Sequence, residues 1–63
     1  MLTLRHKQVL VGAANGFSTK ATAQQLGIAF ETVKDYRKQV IQELGARNFT
    51  HAVAIGLRRG LIG

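Results

Sequence analysis

Apolar residues recur along this chain at three- and four-residue intervals, and glycine rather than proline separates the runs. Leu4, Val9, Leu10 and Ala13 carry the first helical pattern, with Thr3 placed to cap it. Asn15-Gly16 ends that run, because both residue types tolerate the left-handed backbone of a helix C-terminus. Ser18 then caps a short second helix that continues through Leu26, with Ala23 and Leu26 three apart. Gly27 stops it, Ile28 and Ala29 make a tight turn, and a third helix is predicted from about Phe30 to Leu44.

The third helix has two distinct sides. At 100° per residue, Val33, Tyr36, Val40 and Leu44 gather on one, while Lys34, Asp35, Lys38, Gln39 and Gln42 project from the other. Glu31 in its first turn suits the positive end of the helix dipole. Gly45 ends the helix, Arg47 falls in the following loop, and Asn48 caps a fourth helix from about Phe49 to Arg59. That last helix contains the unbroken run Ala52-Val53-Ala54-Ile55-Gly56-Leu57. So wide an apolar belt predicts two covered faces, one on the core and one on a partner. The alternative is a fully central core helix, for which a short chain has little room.

The fold class is therefore all-α, with four helices in one domain over residues 1–63. A chain of this length buries only about 60% of its unfolded surface, so its core is marginal. It has no cysteine, which rules out disulfides and thiolate ligands, and neither His6 nor His51 has companion ligands nearby. No metal site and no cofactor are expected. No nucleophile–base pair, paired carboxylates or phosphate-binding glycine loop is readable, so an enzyme is not expected either.

Charge narrows the function. Nine Lys and Arg against three Asp and Glu leave +6, a balance that fits a polyanion binder or a basic surface kept for solubility. No run of about 20 apolar residues could span a membrane. The positive charges are scattered over several short segments rather than lining one amphipathic helix, which argues against membrane-surface binding. With no signal peptide visible, the expected location is cytoplasmic.

A short helix, the turn Gly27-Ile28-Ala29 and a longer helix with a polar outer side make a helix-turn-helix pattern. The DNA major groove, about 12 Å wide, admits one such helix while its predecessor braces it across the backbone. Ala23 and Gly27 are expected to let the two helices approach closely. The text of the chain is more specific still. Leu2-Thr3-x-Arg5 with Val9-Leu10, Gly16-Phe17-Ser18-x-Lys20, and Ala23-x-x-Leu26-Gly27-Ile28 occur in order. They are followed by Thr32-Val33-Lys34, Leu44-Gly45, Arg47-Asn48-x-Thr50, Ala52-Val53 and Leu57-Arg58-Arg59-Gly60-Leu61-Ile62. This series, spanning nearly the whole chain, resembles the LuxR/GerE-type DNA-binding domain.

The resemblance implies a domain that regulates transcription, with the third helix as recognition helix and the fourth as dimerisation helix. It implies that Lys34, Asp35 and Lys38 face the bases. Lysines there can donate to guanine O6 or N7. Asp35 either accepts from cytosine N4 or pairs with Lys38 three residues on. Ser18, Lys20 and Thr32 at helix starts, with Arg37 and Arg47, are expected on phosphates, although Ser18 also serves as a cap and either arginine can simply be solvated. Tyr36 fits the core better than a contact. Val53 and Leu57, four apart on one stripe, are the expected dimer contacts, and Ala54 and Gly56 are small enough to let a second copy approach. The chain departs from the family pattern at His6 and Gln8, where glutamates are usual, at Ala29, where serine is usual, at Tyr36, where histidine is common, and at Asp35.

The expected partners are double-stranded DNA, read as an inverted repeat, and a second copy of the chain. Two alternatives are a sigma-factor-like promoter-recognition module docked on RNA polymerase and an interaction module that pairs with a full-length LuxR-type regulator. A free-standing regulator and an excised fragment are equally open.

Overall fold

Three of the four helices start where a side chain satisfies backbone N–H groups that have no partner inside the helix. A computed structural model describes all 63 residues and contains α1 (Leu4–Ala14), α2 (Thr19–Leu26), α3 (Phe30–Leu44) and α4 (Phe49–Arg58). Ser18 Oγ accepts from the Ala21 N–H at 3.0 Å, and Asn48 Oδ1 accepts from the His51 N–H at 2.8 Å. At α1 the cap is reciprocal. Thr3 Oγ1 accepts from the His6 N–H at 3.3 Å, and His6 Nδ1 accepts from the Thr3 N–H at 3.0 Å. An imidazole thus takes the part that Glu or Gln usually plays in a capping box. Ala29 precedes α3 in extended conformation but has no side chain to cap with.

Gly27 and Gly45 end α2 and α3 at φ of 68° and 64°. That left-handed conformation is the reason for both glycines. A Cβ on Gly27 would meet nothing within 4 Å, so the expectation that Gly27 permits close helix approach is corrected: backbone conformation demands it, not space. Close approach occurs instead at Gly12, whose Cβ position lies 2.8 Å from Thr22 Oγ1 across the α1–α2 contact.

α3 packs against all three other helices. The adjacent Val9 and Leu10 of α1 feed two separate apolar clusters. Val9 meets Ala23 and Val33, with Leu26, Ile28 and Tyr36 at the margin. Leu10 meets Val40, Ala52 and Ile62, with Leu44 and Val53 at the margin. Phe49, at the start of α4, packs against both clusters and joins them. Leu4 does not take part. It is 73% exposed, because it lies about 120° around α1 from Leu10 and farther still from Val9. Ile62 is the opposite case. The chain turns back after Gly60, the Leu61 N–H donates to the Gly56 carbonyl at 2.9 Å, and Ile62 enters the core. Gly56 faces Ile62 and Leu10, so the expectation that it lies open for a second copy is corrected too. No helix is long and apolar enough to cross a membrane.

Candidate nucleic-acid interface

The polar side of α3 is free. Lys34, Asp35, Lys38, Gln39 and Gln42 are all exposed, while Val33 and Val40 on the opposite side are buried. Tyr36 is half-buried at the Val9 cluster, with its ring edge-on to His6 at 5.4 Å, so it belongs to the inner side.

Charge on this helix is balanced. Lys34, Arg37 and Lys38 meet Glu31, Asp35 and Glu43, so all three side-chain carboxylates of the protein lie on α3 and its net charge is zero. The +6 of the chain therefore resides entirely on the surrounding elements: Arg5 and Lys7 on α1, Lys20 on α2, Arg47 in the loop, and Arg58 and Arg59 at the end of α4. Lys34 Nζ stands 3.7 Å from Glu31 and 5.6 Å from the Phe30 ring centre. Glu43 pairs with the N-terminal amino group. Asp35 has no cation within ion-pair distance, and the Asp35–Lys38 pair left open by the sequence does not form.

Arg37 connects three helices. Its guanidinium donates to Thr19 Oγ1 at the start of α2 and stacks over the Phe49 ring, 4.5 Å from its centre. Ser18, Thr19, Arg37, Phe17 and Phe49 border one cleft of about 360 Å³. Lys34, Arg37 and Lys38 border a second of about 240 Å³ with Ile41 and Phe49. Arg37 thus stands between the exposed lysines of α3 and the N-terminus of α2, where free N–H groups and the helix dipole suit an anion. Lys20 is exposed beside that terminus, Thr32 is half-buried near the start of α3, and Arg47 is exposed ahead of α4. Phe49 as a platform for Arg37 is a residue that sequence periodicity missed. An aromatic at a helix start, twelve residues from the arginine, carries no local signal.

His6 adds a second unforeseen link. Its Nδ1 accepts from Thr3, which leaves Nε2–H to donate to Gln39 Oε1 at 2.6 Å. The carboxamide of Gln39 is thereby held with its NH₂ group turned away from the imidazole.

Farther along α4, Val53 is half-buried against the Leu10 cluster, whereas Leu57 is 50% exposed. Leu57 borders a cleft of about 470 Å³ with Val11, Ala14 and Ile62, and Val11 is itself 42% exposed.

This arrangement has close counterparts. Over 98% of this chain and 92% of the other, the fold superposes on the "Structure of Transcription factor, GerE" with a TM-score of 0.94 at 31% identity. The chain is 38% identical over 61 residues to the "Uncharacterized transcriptional regulatory protein YvfU" of Bacillus subtilis. It is 36% identical over 61 residues to the "Transcriptional regulatory protein YdfI" of the same organism. Each match takes in 97% of this chain, which spans about three-tenths of the relatives' length (30% and 29%). The family profile described as "Bacterial regulatory proteins, luxR family" matches residues 1–55, from the cap of α1 to the buried stripe of α4. A helix pair with this turn, inside a four-helix frame shared along nearly its whole length, makes the chain a member of the LuxR family of bacterial regulatory proteins.

Proposed function

We propose that this domain binds double-stranded DNA sequence-specifically through α3, regulates transcription, and acts as a homodimer joined by α4 on an inverted repeat. The observation that carries this reading is the distribution of charge around α3. A charge-neutral helix with an open polar side, ringed by elements that hold the whole positive excess, separates affinity from discrimination. The surrounding cations draw in phosphates at any sequence. The helix itself gains only where donors and acceptors match base edges.

In this reading Lys34 and Lys38 donate to guanine, and Asp35 accepts from cytosine N4–H. The unpaired state of Asp35 supports that role, because a free carboxylate is repelled by misplaced phosphates. Ser18, Lys20, Thr32, Arg37 and Arg47 hold the backbone. Arg37 is well suited to a phosphate, since Phe49 and Thr19 already restrict its guanidinium and most of its five N–H donors stay free. The half-exposed Leu57 and Val11 form the outer part of the dimer surface and Val53 its base. Paired recognition helices then reach half-sites about 34 Å apart. The interface is small, so DNA strengthens the dimer by mass action. The domain is a cytoplasmic binding module and performs no catalysis.

Binding-site selection on random duplexes, followed by titration of the selected site, tests this. With three or four phosphates neutralised per subunit, the log–log salt slope is expected near −5 to −7. Lys34→Ala costs about 1–3 kcal/mol on the selected site only, while Lys20→Ala weakens all sequences alike and makes the slope shallower by about one unit. Leu57→Asp removes two-chain binding. Half of Leu57 is solvent-exposed, so this variant leaves the fold intact, which Val53→Asp would not. A slope near zero, or strictly one chain per site in the wild type, refutes the proposal.

A further inference from the structure

Phe30 is the first residue of α3, and its side chain lies outside the buried core. It is 45% exposed, belongs to neither apolar cluster and borders no cleft. The other two phenylalanines are accounted for. Phe49 joins the two core clusters, and Phe17 lines the cleft between α1 and α2. The Lys34 ammonium stands over the Phe30 ring, 5.6 Å from its centre. Phe30 and Lys34 are four residues apart, so they stand one above the other on the same side of the helix. Phe30 thus shares a ridge with an expected base-facing residue, at the end of the helix that contacts base edges in helix-turn-helix domains.

Of the groups along the major-groove edge, most are hydrogen-bond donors or acceptors, and an apolar ring placed on them would strip water from groups it cannot satisfy. The C5-methyl of thymine is the exception. We infer that Phe30 is a specificity residue that packs on a thymine methyl in each half-site, beside the base contacted by Lys34. Four residues of helix advance about 6 Å, and base pairs are stacked about 3.4 Å apart. The thymine therefore lies within one or two base pairs of the guanine that Lys34 reads. The inference rests on α3 entering the major groove.

Deoxyuridine differs from thymidine by that methyl alone. Each thymine of the selected site is replaced in turn, and affinity is measured for the wild type, Phe30→Ala and Phe30→Leu. In the wild type, one position per half-site loses about fourfold, the transfer free energy of one buried methyl group. Phe30→Ala binds the thymine duplex more weakly and is indifferent to deoxyuridine at that position. Phe30→Leu keeps part of the discrimination. Circular dichroism of both variants is expected to match the wild type, because the ring lies outside the core. If the wild type is indifferent to every replacement, if its selected half-site has no thymine near the Lys34-dependent guanine, or if Phe30→Ala keeps the full penalty, the inference is overturned. In each of these cases salt-dependent, Lys34-dependent binding to the selected site persists, so the proposed function survives. Absence of any duplex binding removes both.

Discussion

Replacing Gly12 with alanine tests how closely α1 and α2 are spaced. Gly12 lies inside α1 and is buried against Thr22 of α2. Helix propensity alone favours alanine there by about 1 kcal/mol. The added Cβ would stand 2.8 Å from Thr22 Oγ1 and 3.3 Å from Thr22 Cγ2. Thr22 is β-branched, with few χ1 options, and is 4% exposed, so it has little room to move away. Overpacking of that kind costs about 1–3 kcal/mol. The expected net effect of Gly12→Ala is a destabilisation of about 0–2 kcal/mol. In a Thr22→Ala background the obstructing atoms are gone, and the nearest remaining one, Cβ, sits at an ordinary 3.6 Å. There the same substitution stabilises by up to about 1 kcal/mol. Urea unfolding of the four proteins, followed by circular dichroism, gives the cycle, with an expected coupling of about 1–3 kcal/mol. If Gly12→Ala stabilises the parent by the full propensity gain, or if the two substitutions are additive, the contact does not set the helix spacing. Under the proposed function the spacing also bears on binding, because α2 carries Lys20 and follows Ser18, both assigned there to phosphates.

Two further substitutions separate backbone effects from packing. Ala29→Ser supplies the side-chain oxygen that α3 lacks, in a backbone conformation (φ −68°, ψ 147°) near that of the capping Ser18 (φ −67°, ψ 165°). About 1 kcal/mol of stabilisation and a thermal midpoint higher by roughly 4–8 °C are expected, and an unchanged midpoint refutes the reading. At Gly56 a Cβ would meet Ile62 at 3.4 Å and Leu10 at 3.6 Å, which is ordinary contact, so Gly56→Ala stabilises by up to about 1 kcal/mol and leaves two-chain DNA binding unchanged; loss of two-chain binding would return Gly56 to the partner surface.

The electrostatic layout bears on how such a domain searches DNA. With the positive excess off α3, encounter with random sequence depends on the flanks. Glu31 holds Lys34 loosely, since both side chains are exposed to solvent and such surface pairs contribute little. Under the proposed function, leaving Glu31 for a base therefore costs Lys34 little. Asp35 has no such pair to break.

The sequence by itself determined the four helices, their ends and the two sides of α3. These are local properties. Ser18 and Asn48 each cap the helix that begins at the next residue, Gly27 and Gly45 adopt a left-handed backbone that other residues resist, and the spacing of Val33, Val40, Lys34 and Lys38 is a property of one helix. The fourth helix was expected to Arg59 and its last helical residue is Arg58, a difference within the fraying of helix ends. Only the tertiary structure decided which faces are covered. Leu4 fits a helical apolar pattern yet is exposed, and Ile62 lies outside every helix yet is buried. Gly56 turned out to face the core, and Leu57 rather than Val53 the solvent. The stacking of Arg37 on Phe49, its hydrogen bond to Thr19, and the His6–Gln39 bond all join residues from different helices. Periodicity states which residues share a face of one helix. Which other element comes to lie on that face depends on the packing of all four at once, and no window of a single helix contains that information.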